Sequence, residues 1–469
     1  MGQVVSEQPY SALRSRDIFS AWVIDSLPTF GSSVVDGSLT ASAFAGLANQ
    51  ALADLPFADD NDPDAARRLI VELGIIGSSV ACYSHRENLA LARRDPGHSL
   101  EALRVGATRT PFRAYFSDLI GRSGTGHPNR DAYASLIRWN APEMSAYRGV
   151  SRLCTVPSVF DDGRIRTYTA EIGETLIIEL FKRCETLELA ANEVLQPIWA
   201  GGTSTMGRDE LAERFATARL MLAGVRRLFL NFHLGDERGA LSVDHFVDVF
   251  RQYAIHWDHD DVPPSGPQDI QFILRDLMTD IQLPSFKRHV ERIHAGLLAE
   301  ERQVVTDAAV RPSLPRVLLD EAGLSTVDLA TMSDSELASA LRRCPALGEC
   351  YLYLELNARL SAAHLMVAKK YLYKPNRQRD AAGAAVPAPV PNDKGITELT
   401  ESALDVLNRA RRDHVMTAIG RWRTAEVAAL CGATVQRDLS MDEALALFAP
   451  GESSSSLSTS SLASSGGTW

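Results

Sequence analysis

Cysteine is scarce in this 469-residue chain, and the six cysteines form no motif. They are spread along the sequence, so neither a C-x-x-C metal or redox motif nor the C-x-x-C-H motif of covalent haem attachment is present. Glycine-rich phosphate loops and a G-x-S-x-G nucleophile elbow are also missing. These absences argue against c-type haem, nucleotide-binding and serine-hydrolase functions. The scattered thiols predict a reducing, cytoplasmic location.

Positive charge and long apolar runs are also in short supply. Lysine and arginine number 48 against 59 aspartate and glutamate residues, which gives a net charge of −11. A nucleic-acid partner is unexpected, because neutralising phosphates requires a basic surface. No run of 18 apolar residues is present, and the first residues lack a charged-then-apolar signal pattern. We therefore expect no membrane partner.

Helical periodicity dominates the chain, and no run alternates apolar and polar residues as a half-buried strand would. The sequence therefore predicts an all-α fold. We predict an N-terminal helical region at 1–125, a large helical domain at 126–445 and a disordered Ser/Gly-rich tail at 446–469. The Ala/Pro-rich segment 376–394 is predicted to be a functional loop or a linker. The predicted helices cover 17–26, 64–84, 132–139, 168–194, 208–234, 243–256, 268–279, 285–305, 333–343, 351–375 and 397–429.

The helix predicted at 351–375 has one polar residue on its apolar face. Apolar residues at three- and four-residue spacings define that face, and Pro375 is expected to end the helix because proline cannot donate to the helical ladder. His364 lies four residues after Leu360 and three before Val367, so it points inward. Its alanine neighbours leave room for a large flat group beside the imidazole. The alternative is a core histidine that is hydrogen-bonded to a carbonyl.

A second informative stretch, 241–280, contains a loop rich in histidine and aspartate. Within the six residues from His256 to Asp261, imidazole and carboxylate groups could share a cation. The spacing is not that of a helical zinc motif, and a solvated acidic loop explains the composition equally well. A non-haem metal site at His256, His259 and Asp260 is therefore kept as an alternative.

Two of these stretches resemble indoleamine 2,3-dioxygenase and its relatives. The sequence RLSAAHLMVAKKY, at 359–371, is similar to the family's proximal-histidine helix, with His364 at the position of the haem-iron ligand. The family's distal segment is matched by Phe246, Arg251, Tyr253 and Trp257.

Two shorter blocks add to the resemblance. The turn Ser265-Gly266-Pro267-Gln268 is similar to the family's turn at the haem edge. Trp139-Asn140 followed by Tyr147-Arg148-Gly149 is closer to the bacterial branch typified by monodechloroaminopyrrolnitrin synthase. The blocks follow one another in the order of the family, between about residues 130 and 375.

The resemblance implies a helical domain of the indoleamine 2,3-dioxygenase type that binds a b-type haem (heme b), with His364 as the ligand of its iron. It implies that O₂ or peroxide oxidises a small aromatic, tryptophan- or indole-like molecule in bacterial secondary metabolism, such as antibiotic biosynthesis. Arg251 would hold a substrate carboxylate in its planar fork. His85 is a candidate distal acid or base, with a helix-end histidine as the alternative. The residues expected to contact the cofactor are Phe246, Ser265, Gly266, Tyr147 and Arg148.

Departures from the family pattern alter the expected pocket. Val247 replaces a second phenylalanine, and Ser361 replaces an arginine that pairs with a haem propionate. Ala368 excludes the cysteine crosslink of tyrosine-hydroxylating relatives, and 376–394 replaces a Gly/Ser/Thr-rich closing segment. These changes keep open a catalytically degenerate haem-binding protein or a haem-free helical protein. Substrate identity and oligomeric state stay open as well.

Overall fold

The computed structural model describes residues 8–235, 241–281, 283–381 and 400–450. Helices make up most of this part of the chain, which confirms the predicted all-α class. The first helices are α1 Gln8–Ala21, α2 Leu27–Val35, α3 Ala41–Leu52, α4 Pro63–Glu87, α5 Leu89–Arg94, α6 Phe112–Ser123, α7 Ile172–Gly201, α8 Arg208–Leu234, α9 Val243–Asp248 and α10 Ile270–Met278. The later helices are α11 Pro284–Ile293, α12 Ala299–Val310, α13 Leu314–Glu321, α14 Thr326–Thr331, α15 Asp334–Arg343, α16 Pro345–Ala368, α17 Lys374–Ala381, α18 Glu401–Arg412, α19 Thr424–Cys431 and α20 Met441–Leu445.

Two short antiparallel strand pairs interrupt the helical pattern. β1 (Arg104–Val105) pairs with β2 (Thr110–Pro111), and β3 (Met144–Arg148) pairs with β4 (Ser151–Val156). Gly149 closes the second hairpin with a φ of 59°, a left-handed conformation that suits glycine. The expectation of no strands is therefore wrong at these two places, because each strand is too short to show a long alternating run.

Several helices end earlier than their periodicity indicates. The helix predicted at 243–256 ends at Asp248, and a 3-10 turn, Phe250–Tyr253, follows it. The helix predicted at 285–305 is divided into α11 and α12, and the one predicted at 397–429 into α18 and α19 with a 3-10 turn between them. Apolar residues recur across each break, so the periodicity continues where the backbone turns.

The helix that carries His364 does not end at Pro375, so that prediction is wrong. A π-helical turn, Lys369–Tyr373, follows α16, and α17 then runs through Pro375 to Ala381. A π turn shifts the hydrogen-bond pattern by one residue, which lets the helix pass a proline that has no N–H to donate. Residues 376–381 of the predicted loop are therefore helical.

The segments predicted to lack regular structure fall largely outside the described residues. Positions 382–394 of the Ala/Pro-rich segment lie in the undescribed stretch 382–399, and positions 451–469 of the tail are also undescribed. Of the predicted tail, only 446–450 is described, and it contains a 3-10 turn, Ala446–Phe448.

Two large hydrophobic cores and a small one bury the apolar faces of the helices. The larger core joins α7, α8, α10 and α16 with the C-terminal helices. The N-terminal core joins α1, α2, α3, α4 and α6, and it also includes Trp139, Tyr168 and parts of the segment 249–257. The small core contains Tyr133 and Tyr371. The region before residue 125 thus shares its core with residues from the second predicted domain.

One helical segment near the N-terminus, Arg14–Val35, is long and apolar enough to cross a membrane by length and composition, with a hydropathy of 1.2. It is the exception to the prediction that the chain has no such stretch. Phe19, Val23 and Leu27 of this segment are buried in the N-terminal core. Core helices and signal sequences satisfy the same criteria, so the segment is weak evidence for a membrane span.

Candidate functional site

Three adjoining cavities lie between α7, α8, α16 and the chain that follows α9, and Phe181 and Gly266 line all three. We call them the central lobe, which contains Tyr371, the aromatic lobe, which contains Tyr133, and the α11 lobe, which contains His289. Their empty volumes, which include space open to solvent, are about 910, 630 and 870 Å³ respectively. The shared walls make them one candidate site.

His364 lies on α16 and lines both the central lobe and the α11 lobe. The centroid of its imidazole is 5.1 Å from that of the Phe229 ring and 6.1 Å from that of the Phe272 ring. The side chain is enclosed by protein yet partly accessible, because it faces the cavity. Within the described part of the chain, neither ring nitrogen has a hydrogen-bond partner. The arrangement differs from that of a core histidine bonded to a carbonyl.

Burial lowers the pKa of His364 to about 4, and the guanidinium groups of Arg411 and Arg275 act in the same direction. The imidazole is therefore neutral at physiological pH. A neutral imidazole has the lone pair that a metal ligand requires. The protonation state of His364 thus suits the predicted role of iron ligand.

Four residues predicted for the cofactor and substrate side line the same cavity as His364. Phe246, Arg251 and Ser265 line the central and aromatic lobes, and Gly266 lines all three lobes. The Arg251 side chain is buried on the 3-10 turn after α9. The structure therefore brings together residues from three separate blocks of the sequence.

Local hydrogen bonds form the two turns that carry these residues. Ser242 caps α9 by accepting a hydrogen bond from the backbone of His245, and the helix ends at Asp248 before the turn that holds Arg251. The Ser265 backbone N–H donates to the side chain of Gln268 at 2.9 Å, which closes the turn that presents Gly266.

The turn that carries Arg251 is fixed to the N-terminal core. The Tyr253 ring stacks on that of Tyr168 with centroids 4.0 Å apart, and the Tyr253 and Tyr83 hydroxyls are hydrogen-bonded at 2.7 Å. The Trp257 indole N–H donates to Ser78 at 3.2 Å. The resemblance placed Tyr253 and Trp257 in the distal segment. Tyr253 lines the aromatic lobe, whereas Trp257 lines none of the three lobes and holds the segment from behind.

The aromatic lobe contains buried hydroxyl groups. Those of Tyr133 and Tyr168 have no hydrogen-bond partner among the described residues. Burial raises the pKa of both phenols well above the usual value, so both stay protonated and can donate. Arg251 lines this lobe and the central lobe, and no acidic side chain of the described residues lines either one. The lining therefore suits an aromatic molecule with an anionic or neutral polar group.

Three predicted site residues lie away from the lobes. Tyr147 and Arg148 are on β3, where the Arg148 guanidinium donates to Glu213 at 3.1 Å. His85 is buried near the end of α4, and its Nε2 lies 3.0 Å from the carbonyl oxygen of Pro96. Burial lowers the pKa of His85. None of the three lines a lobe with His364, and the placement of His85 agrees with the helix-end alternative.

The loop from His256 to Asp261 is held by internal hydrogen bonds. The Asp261 carboxylate accepts from two backbone N–H groups of the loop, at 2.7 and 3.0 Å, and pairs with His256 at 2.7 Å and with Arg130 at 2.9 Å. Across the described ranges, no group of three or more His, Cys, Asp or Glu side chains could hold a metal ion. The alternative of a non-haem metal site at His256, His259 and Asp260 therefore lacks support in the structure.

Sequence reasoning missed several residues that line the lobes. On α7, Ile177, Phe181, Cys184 and Glu188 recur at helical spacing, and all four line at least one lobe. On α11, His289 lies among apolar residues at three- and four-residue spacings. An acidic or imidazole group on an otherwise apolar helical face was the available signal in both helices.

Comparisons with known proteins add no family. No protein-family model matches the chain, and no curated protein matches it. The functional interpretation therefore depends on the sequence blocks and on the lobes around His364.

Proposed function

We propose that this protein binds a b-type haem through His364 and oxidises a small aromatic molecule held near Arg251. The observation that carries the proposal is the grouping of residues around adjoining lobes. His364 lies more than a hundred positions after Phe246 and Arg251 in the sequence, and yet the three line one cavity. The resemblance to indoleamine 2,3-dioxygenase predicts this grouping from sequence alone.

The lining of the lobes fits a flat, largely apolar group bound to an imidazole. Phe229 and Phe272 flank His364, and Leu404 lines both lobes that His364 faces. Gly266 lies on the wall of all three lobes, where an added Cβ would come within 3.2 Å of the Phe181 ring. A neutral imidazole in a largely apolar pocket is what a b-type haem needs, and the glycine leaves room at the wall.

The aromatic lobe is the proposed substrate site. Phe246 and Phe250 supply aromatic walls, and Tyr133 and Tyr168 supply hydroxyl donors. Arg251 offers a planar guanidinium that can bind a carboxylate through two hydrogen bonds. A tryptophan- or indole-like compound combines an aromatic ring with such a polar group.

The residues of the chain bind and orient the substrate and keep water out. When bound, the haem would supply the activation of O₂ or peroxide. The apolar walls around Phe181 and Phe246 lower the local dielectric constant, which strengthens the interaction of Arg251 with a substrate anion. The phenols of Tyr133 and Tyr168, which line the same lobe as Arg251, can donate to another polar group of the substrate.

A cytoplasmic role in bacterial secondary metabolism, such as antibiotic biosynthesis, belongs to the same proposal. The six cysteines are unpaired, and five of them are buried, as expected for a protein of a reducing compartment. The specialised branch that the Trp139-Asn140 and Tyr147-Arg148-Gly149 blocks resemble supports this assignment.

The proposal is tested by the absorption spectrum of the protein purified from haem-replete cells. We expect an intense Soret band that shifts when the sample is reduced with dithionite and exposed to CO. His364→Ala should lose or strongly alter the band. His127→Ala is the matched control, because His127 is also buried with a pKa lowered to about 4 but lines none of the three lobes.

The same sample is then incubated with tryptophan and with indole under O₂ and under peroxide, and the products are analysed by mass spectrometry. Oxygen incorporation supports the oxygenase function. A protein that shows a Soret band but converts neither tryptophan nor indole supports the degenerate haem-binding alternative. The absence of any Soret band after haem reconstitution contradicts the proposal.

A further inference from the structure

Polar side chains are distributed unevenly over the candidate site. The central and aromatic lobes are lined mainly by aromatic and aliphatic groups. The α11 lobe is different, since its lining includes Glu188, Asp269, Arg275, Ser285 and His289. The site as a whole therefore has an apolar side and a polar side, which matches an amphipathic ligand.

His289 offers a hydrogen-bond donor on the polar side. Its side chain is 6% exposed, and burial lowers its pKa to about 4, so the imidazole is neutral. Its Nδ1 lies 3.4 Å from a guanidinium nitrogen of Arg292, which can only donate, so Nδ1 is the acceptor and Nε2 carries the hydrogen. This Nε2–H has no partner among the described residues. A buried donor of this kind is costly unless a ligand accepts its hydrogen bond.

Arg275 also lines the α11 lobe. One of its terminal nitrogens donates to Glu188 at 2.6 Å, while its Nε is buried without a partner in the part of the chain that the structure describes. Ser285, four residues before His289 on α11, is exposed. The lobe is thus lined by the Arg275–Glu188 ion pair, by a buried imidazole donor and by a serine at the protein surface.

Ser361 stands where the family that this chain resembles has an arginine that pairs with a haem propionate. Its side chain lines the α11 lobe one turn before His364. The Ser361 hydroxyl donates to the backbone carbonyl of Asn357 at 2.8 Å, so it is used within its own helix. A carboxylate bound in this lobe would therefore need a donor other than Ser361.

We propose that His289, in the lobe that Arg275 also lines, binds a carboxylate of the porphyrin. The inference depends on the proposed haem function and names residues of α10 and α11 that replace the arginine absent at Ser361. A charge-assisted hydrogen bond from a buried donor orients an asymmetric ligand, and the surface position of Ser285 suits the hydrated edge of that ligand.

The test compares haem with its dimethyl ester, in which both carboxylates are blocked. Each is titrated into the wild-type protein, His289→Leu and His289→Gln, and binding is followed by the Soret band. We expect His289→Leu to weaken haem binding by about tenfold, the usual effect of losing a hydrogen bond to a charged group. The same variant should bind the ester as the wild type does, because that hydrogen bond is already absent. His289→Gln, which keeps a donor, should recover most of the haem affinity.

His127→Leu is the matched control, because it removes a buried histidine outside the three lobes. It should bind both ligands as the wild type does. If the wild type and His289→Leu bind haem equally, the inference is overturned and the haem function is retained. The same conclusion follows if His289→Leu loses affinity for haem and for the ester by the same factor. A wild-type protein that binds neither ligand overturns the haem function itself. If His289→Leu does not fold, His289→Met is titrated in its place, and a wild-type ratio of haem to ester affinity in that variant overturns the inference.

Discussion

Buried histidines link the chemistry of the site to the stability of the protein. His127 and His289 are 4% and 6% exposed, and burial lowers the pKa of each to about 4. In the unfolded chain a histidine takes up its proton near pH 6.5. As the pH falls from 6.5 towards 4, the unfolded state therefore binds protons that the folded state does not, and stability is lost in this window.

Replacement of His127 isolates this effect, because the residue lies outside the proposed haem site. We expect His127→Leu to reduce the loss of unfolding free energy between pH 6.5 and 4.5 by about 1.4 kcal/mol for each pH unit. Urea unfolding of the wild type and the variant at several pH values in this window measures the difference. The same slope in both proteins contradicts the assigned protonation state.

His364 and His289 show what a single sequence can reveal at the level of one residue. Both are inward histidines on apolar helical faces, but only His364 lies in a block that resembles a known family. Tyr147 and Arg148 show the opposite case, since their block resembles the family while the β3–β4 hairpin carries them away from the lobes. Spacing within a block predicts a local face, and only the tertiary packing decides which faces meet.

The same limit applies to the helices and turns that hold the site: local spacing predicts them only in part. Long periodic helices such as α8 and α16 are predictable because their apolar faces repeat over many turns. The break after Asp248 is not, because apolar residues continue at helical spacing through the turn that holds Arg251. That turn is fixed by contacts with α4, a helix more than 150 residues earlier, which no local pattern records.

Close packing of α4 against Trp257 provides a test of how this segment is held. A Cβ added at Gly77, on α4, would lie 2.6 Å from the indole ring of Trp257. We expect Gly77→Ala to destabilise the protein by about 1–3 kcal/mol, because the ring cannot move without displacing its neighbours. Chemical denaturation measures the change.

Gly46 on α3 is the matched control. A Cβ at this exposed position meets no atom within 4 Å, so Gly46→Ala should be neutral or should stabilise the protein by roughly 0.5–1 kcal/mol through its helical preference. A Gly77→Ala variant that is as stable as Gly46→Ala would show that the Trp257 contact does not constrain α4.

At the scale of the whole molecule, the candidate site lies where the hydrophobic cores meet. Phe229 belongs to the larger core, Tyr168 to the N-terminal core and Tyr133 to the small core, and each lines a lobe. All residues that line the three lobes lie after position 125, so the second predicted domain supplies the walls of the site. We infer that the N-terminal region supports the site from outside, because α4 holds the segment around Arg251.

Imidazole rescue of His364→Gly is the decisive test of haem ligation by His364. The substitution removes the side chain and leaves a space that free imidazole can fill. We expect His364→Gly to lose the wild-type Soret spectrum and to regain it when imidazole is added, while His127→Gly keeps the wild-type spectrum without imidazole. A His364→Gly protein that retains the wild-type spectrum without imidazole would show that His364 is not the iron ligand.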